Sequence, residues 1–169
     1  IYAASNSSIP IYRSTDTGDN WNAIAGSWPS GINRTLISTS SANSTYVYVV
    51  MLSQNSFLGT YRSTNSGASF IEMGDGSTAS IGGQASFNFG FGTSHLDEDD
   101  LFMGGINYYY STNGGQSWTE IAPGPGFTLH VDIHDIDIDP FSNHVLVACD
   151  GGLYESTASD GLTFNLKSG

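Results

Sequence analysis

The sequence predicts an all-β fold assembled from four copies of one four-stranded unit, and three observations carry the prediction. One short phrase recurs, as Tyr12-Arg13-Ser14-Thr15-Asp16-Thr17-Gly18-Asp19-Asn20-Trp21, Tyr61-Arg62-Ser63-Thr64-Asn65-Ser66-Gly67-Ala68-Ser69-Phe70, Tyr110-Ser111-Thr112-Asn113-Gly114-Gly115-Gln116-Ser117-Trp118 and Tyr154-Glu155-Ser156-Thr157-Ala158-Ser159-Asp160-Gly161-Leu162-Thr163-Phe164. Its glycines fall at 18, 67, 115 and 161, in steps of 49, 48 and 46 residues, and a period in the forties marks one supersecondary unit used repeatedly. Between the phrases lie β-rich runs, at 45–50, 86–91 and 144–148, punctuated by Gly, Asn and Ser. No stretch carries a helical period. Roughly four strands fit each unit, and four-stranded units set radially as blades make a β-propeller.

The first blade, 1–27, is read as incomplete, because Ile1-Tyr2-Ala3-Ala4 already reads as its second strand. The others are expected at 33–73, 84–122 and 128–166. Each phrase is read as a turn staple joining a third strand to a fourth. Asp or Asn accepts hydrogen bonds from its own turn backbone, Gly supplies a positive φ, and the aromatic packs back between neighbouring blades. The structural residues are therefore Ser14, Asp16, Gly18 and Trp21, then Ser63, Asn65, Gly67 and Phe70, then Ser111, Asn113, Gly115 and Trp118, and finally Ser156, Gly161 and Phe164. Only Asp16 is a carboxylate at the second of these positions. Asn65 and Asn113 can make the same bonds, whereas Ala158 cannot, so the fourth turn is expected to be the loosest.

The pattern Ser-x-Asp/Asn-x-Gly-x-Ser/Thr-Trp/Phe after an aromatic strand resembles the Asp-box, or bacterial neuraminidase, repeat, over essentially the whole chain. That family includes sialidases, xyloglucan-hydrolysing glycosidases, sortilin-type receptors and many secreted bacterial propellers. Its closed members usually have six or more blades. The resemblance implies that this chain is part of a larger ring, completed by blades of the same or another polypeptide. An open arc leaves strand edges and an apolar blade face exposed.

Composition points outside the cell. Sixteen acidic residues stand against four Lys plus Arg, a formal net charge of −12, and Lys167 is the only lysine. Such a surface repels nucleic acid and anionic lipid and suits a secreted or cell-surface protein. Cys149 stands alone, so no internal disulfide forms, and its setting after Val145-Leu146-Val147-Ala148 reads as a strand thiol. No apolar run is long enough to cross a membrane.

Strand parity places the repeat turns on one face of the propeller and the loops around 26–34, 53–59, 73–84, 104–107, 122–134 and 150–152 on the other. One of these loops is unlike the rest. His130-Val131-Asp132-Ile133-His134-Asp135-Ile136-Asp137-Ile138-Asp139-Pro140 approaches and forms the innermost strand of the fourth blade. Ile133, Ile136 and Ile138 should enter the core, leaving His130, Asp132, His134 and Asp135 nearest the channel mouth. Asp150-Gly151-Gly152 joins them from the next loop of the same blade.

Three readings are open for this cluster. A glycosidase needs one protonated and one ionised carboxyl, here Asp150 and Asp132, with His130 or His134 as orienting partners. His-x-Asp-x-His also offers mixed nitrogen and oxygen ligands, so His130, Asp132 and His134 are a candidate set for a divalent metal, zinc or calcium, although the glycosidase reading requires no cofactor. The third reading is structural, with these groups hydrogen-bonding backbone across the channel. Asp150-Gly151-Gly152-Leu153-Tyr154 resembles the passage of xyloglucanase-type propellers in which an Asp before a Gly pair is catalytic, which implies that role for Asp150. The stretch from His130 to Tyr154 also resembles secreted Bacteroidetes propellers carrying His-x-Asp-x-His before Asp-Gly-Gly. Tyr108 and Trp28 are candidate aromatic platforms for sugar rings.

Sialidase chemistry is excluded, because it needs three arginines gripping one carboxylate. Arg13 and Arg62 occupy equivalent third-strand places away from the channel and do not converge with Arg34. The run Leu96-Asp97-Glu98-Asp99-Asp100-Leu101 reads as a solvated turn on the repeat-turn face. The sequence thus points to a secreted propeller segment that binds or hydrolyses polysaccharide, with a non-catalytic propeller for adhesion or protein binding as the alternative.

Overall fold

The computed structural model describes residues 1–121 and 129–168, so the expected blade limits at 122 and 128, and most of the 122–134 loop, lie outside the described residues. The fold is a segment of a β-propeller, built from four antiparallel meanders. The first sheet has three strands, β1 (Tyr2–Ala4), β2 (Ile11–Arg13) and β3 (Asn22–Ala23). The second comprises β4 (Arg34–Thr39), β5 (Val47–Leu52), β6 (Phe57–Ser63) and β7 (Ile71–Gly74). The third comprises β8 (Gly90–Thr93), β9 (Leu101–Gly104), β10 (Tyr108–Ser111) and β11 (Thr119–Ile121). The fourth comprises β12 (Ile133–Ile138), β13 (Val145–Cys149), β14 (Gly152–Ser156) and β15 (Phe164–Ser168).

Period-2 alternation distributes each strand between two neighbouring blades. On β5, Val49 and Met51 pack with Ile11, Ile24 and Tyr61 between the first and second sheets. Tyr48, Val50 and Leu52 of the same strand turn the other way, to Phe91, Leu101, Met103, Tyr109 and Trp118. A third cluster joins Phe102 and Tyr108 of the third sheet to Ile133, Ile136, Ile138, Val145, Val147, Tyr154 and Phe164 of the fourth. The isoleucines of β12 enter the core as the sequence suggests.

Between the third and fourth sheets the backbones themselves approach. A Cβ added to Gly90 would lie 2.5 Å from the Ile136 nitrogen, and one added to Gly104 would lie 2.4 Å from Ile133 Cδ1. Between the second and third sheets the spacing is set instead by side chains, with Ser38 Oγ and Thr93 Oγ1 2.9 Å apart.

The turns joining third to fourth strands are built as hydrogen-bonded staples. Ser63, buried, donates to Asn65 Oδ1 at 2.8 Å and accepts from the Gly67 amide at 2.8 Å, while Asn65 Oδ1 accepts from the Ser69 amide at 3.0 Å. Ser111, Asn113, Gly115 and Ser117 repeat this arrangement. So do Ser14, Asp16, Gly18 and Asn20, where the bonds from Ser14, the Asn20 amide and its side chain hold the Asp16 carboxyl down at about 2, the Asn20 bonds acting most strongly. Gly18, Gly67 and Gly115 all have positive φ, at 102°, 75° and 81°. The fourth turn lacks the staple: Ser156 Oγ donates to the Ala158 carbonyl and accepts from the Val145 amide.

The turn aromatics of the second, third and fourth blades then seat on the preceding blade. Trp118 donates its indole N–H to Thr60 Oγ1 at 3.2 Å and meets Phe57 edge-on, and Phe164 meets Tyr108 edge-on. Phe70 packs in the cluster that contains Ile11. Ile11, Thr60 and Tyr108 each lie three residues before the turn serine, and the equivalent residue of the fourth blade is Leu153. Leu153 is 41% exposed and borders a hollow of about 160 Å³ with Leu146, Ala148, Asp135 and Asp137. Trp21, the turn aromatic of the first blade, is 42% exposed.

Two sequence expectations are corrected. The run 86–91 is not a strand throughout, because the Phe87 and Asn88 amides close a turn onto the Gln84 carbonyl and β8 begins only at Gly90. Tyr108 is not a sugar platform. Its ring is 2% exposed, lodged between the third and fourth sheets, because β10 alternates into two blade interfaces rather than into solvent.

Candidate functional site

The site forms where the approach to β12, the β13–β14 turn and the loop before β8 meet. Asp132 and Ile133 are tied to the neighbouring blade by backbone, the Asp132 amide donating to the Ile106 carbonyl at 3.2 Å and the Ile133 amide to the Gly105 carbonyl at 2.7 Å. This tie places Asp132 at φ 61°, a left-handed conformation that costs a non-glycine residue roughly 1 kcal/mol or more. Its carboxylate turns to the third blade and accepts from Asn88 Nδ2 at 2.8 Å. Its carbonyl accepts from the Asp150 amide at 3.3 Å, which brings the β13–β14 turn alongside.

That turn needs its glycines. A Cβ on Gly151 would lie 2.4 Å from His130 Cβ, so only glycine lets His130 lie over the turn, and Gly152 sits at φ 114°. Asp150 is thereby presented to solvent, its side chain 56% exposed, with Oδ1 2.7 Å from His134 Nε2. His134 is in turn met edge-on by Phe87, ring centroids 5.6 Å apart.

The structure brings His134 and Asp150 into direct contact and places Asp132 next to them along the chain. It disperses the remaining candidates. His130 directs Nδ1 to its neighbour's carbonyl at Val131, 3.0 Å away. Asp135 lies on the solvent side of β12, where it accepts from the Ile136 amide and its charge acts on Arg34. His130, Asp132 and His134 each turn to a different partner, and among the described residues no group of three or more His, Cys, Asp or Glu is disposed to hold a metal ion. Trp28 is half-buried, with its indole N–H on the Ile24 carbonyl and its ring against Tyr61 and Phe70.

The arginines do not converge. Arg34 donates to the Phe89 carbonyl at 2.9 Å and to the Ala85 carbonyl at 3.5 Å, and burial lowers its pKa against the opposing effect of Asp135. Arg62 instead pairs with Asp99 at 3.0 Å, in the turn between β8 and β9. Cys149 closes β13 half-buried, and burial raises its thiol pKa. Asn88 and Phe87 were not legible as site residues, since nothing in the run Ser86-Phe87-Asn88-Phe89 distinguishes strand from loop.

Comparison of the sequence with family models gives no match, and neither does comparison with curated proteins. Solved structures share the fold. An ancestral GH74 enzyme superposes with a TM-score of 0.66 at 20% identity, over 99% of this chain and 22% of that one. The GH74 enzyme of Niastella koreensis gives 0.66 at 19% identity, over 99% and 29% of the two chains. The GH74 xyloglucanase from Xanthomonas campestris gives 0.65 at 18% identity, over 96% and 27%. This chain therefore spans about a quarter of the length of these structures. Likeness at this identity establishes the fold.

Proposed function

We propose that this chain forms part of a secreted β-propeller that binds or hydrolyses polysaccharide, with Asp150 and Asp132 as the carboxyl pair at the channel mouth. The observation that carries the reading is the 2.7 Å contact between His134 Nε2 and Asp150 Oδ1, on a turn that presents the carboxyl to solvent beside the backbone of Asp132. Hydrolysis of a glycosidic bond requires two such groups. One carboxylic acid gives its proton to the departing oxygen, while the other, ionised, activates water or attacks the anomeric carbon. His134 orients Asp150, and Asn88 orients Asp132. This chemistry calls on no metal or organic cofactor.

Acidic composition, with 16 Asp and Glu against four Lys and Arg, supports an extracellular setting and a neutral ligand. Among the described residues, no helix is long and apolar enough to cross a membrane. The hollow beside Leu153 and the exposed Trp21 support further blades against both ends of the segment, from the same or another polypeptide. Asp132 and Asp150 turning to different partners favours the second reading, a non-catalytic propeller that binds polysaccharide or protein.

The test is release of reducing ends from xyloglucan by the full-length polypeptide and its Asp150→Asn and Asp132→Asn variants. Losses on the order of 100-fold or more in both, with unchanged circular dichroism, are expected of a catalytic pair. Hydrolysis that survives both substitutions would overturn the site assignment, and an inert wild type that still binds the polymer would establish the second reading.

A further inference from the structure

Phe87 is 76% exposed, yet the loop that carries it is pinned from several sides. The Phe87 and Asn88 amides donate to the Gln84 carbonyl at 2.8 and 3.1 Å. Ala85 and Phe89, on either side of it, are buried, and Arg34 of the second blade donates to both their carbonyls. Asn88, also buried, reaches across to Asp132 of the fourth blade. Three blades thus fix the backbone that carries a ring facing water. An apolar ring in water forgoes the stabilisation that burial would bring, and among the described residues nothing in its own blade covers it. Its edge-on neighbour is His134, at an interplanar angle of 80°, and His134 is the residue that holds Asp150.

We propose that Phe87 is a sugar-binding platform, on which a pyranose of a neutral, β-linked glucan lies with its C–H face against the ring and its hydroxyls toward His134 and Asp150. An equatorially substituted pyranose has the complementary chemistry, apolar axial C–H groups on its faces and hydroxyls around its rim. The surrounding Asp132 and Asp150, and the net charge of −12, disfavour an anionic sugar. This inference rests on the polysaccharide reading and names the substrate class and the residue that grips it. It makes Phe87 a binding residue, acting on affinity and on the placing of the chain over the carboxyls.

The experiment uses the full-length polypeptide in affinity electrophoresis through gels containing xyloglucan or hydroxyethyl cellulose, with calorimetric titration of cellohexaose. Phe87→Ala should weaken binding roughly tenfold or more, Phe87→Trp should restore it, and the melting temperature should stay within about 1 °C because the ring is exposed. Wild-type binding that Phe87→Ala leaves unchanged overturns the platform while the polysaccharide reading stands. A wild type that ignores all three glucans overturns both. Loss of binding that Phe87→Trp does not restore, accompanied by a lowered melting temperature, identifies a structural role and also overturns the proposal.

Discussion

Replacing Ser63 by Ala isolates the energy of one repeat staple. Ser63 Oγ makes three bonds, to Asn65 Oδ1 at 2.8 Å, from the Gly67 amide at 2.8 Å and from the Asn65 amide at 3.2 Å, and the residue is 1% exposed. Alanine fits the space but leaves the buried Gly67 amide without an acceptor, at about 1–3 kcal/mol. The Asn65 amide is only part-buried and finds water at smaller cost, so the total should come to about 2–3 kcal/mol. For a cooperative unit of about 150–250 residues that corresponds to a fall in Tm of roughly 5–10 °C, and to a smaller fall in a larger ring. Ser69→Ala is the control. Its hydroxyl only accepts from Asn65 Nδ2 at the exposed rim, and a change there should stay within about 0.5 kcal/mol. Scanning calorimetry of the full-length polypeptide reads both. A Ser63→Ala melt no lower than that of Ser69→Ala would refute the idea that the staple stabilises the turn, and would leave the repeated serine unexplained.

Two further outcomes are expected. The Asp16 carboxyl, held at about 2 by Asn20 and Ser14, is depressed relative to the unfolded chain, so its contribution is present above pH 4 and lost as pH falls toward 2. Asp16→Asn, copying Asn65 and Asn113, should flatten the fall of Tm over that window, and an unaltered pH profile would show that Asp16 is not the group responsible. Leu153→Asp in the full-length polypeptide should lower Tm by several degrees if a neighbouring blade covers it, since a buried unpaired charge is costly. Phe141→Asp, at a turn residue 97% exposed, should be silent, and equal silence at Leu153 would leave its hollow uncovered.

The architecture was legible because the repeat phrase encodes local turn chemistry that needs no distant partner. Ser14, Asp16 and Gly18 bond within one turn, so their spacing alone announces it. Ile136 and Ile138 of β12 were legible through alternation, whereas Ile133 reaches the same core across a register shift between Ile133 and Asp135. Tyr108 was not, for a physical reason: an inner blade is covered on both faces, so alternation separates one neighbour from the other and no longer separates core from water. Asp150 was legible beside its glycines, whereas its link to His134, and the roles of Asn88 and Phe87, depend on contacts between residues 16 to 47 positions apart. Such contacts are products of blade stacking, which composition and spacing do not display.

The glycines that line the meeting of β8 and β12 bear on curvature. Blades are wedges, and the angle of a wedge depends on how much volume stands near the axis relative to the rim. Gly90 lets the third and fourth blades close almost backbone to backbone at their inner edges, whereas Ser38 and Thr93 hold the second and third blades one side chain apart. Residue size on the innermost strands thus sets a different spacing at the two interfaces, and the wedge angle of each blade pair follows from β8 and its partners rather than from the repeat turns at the periphery.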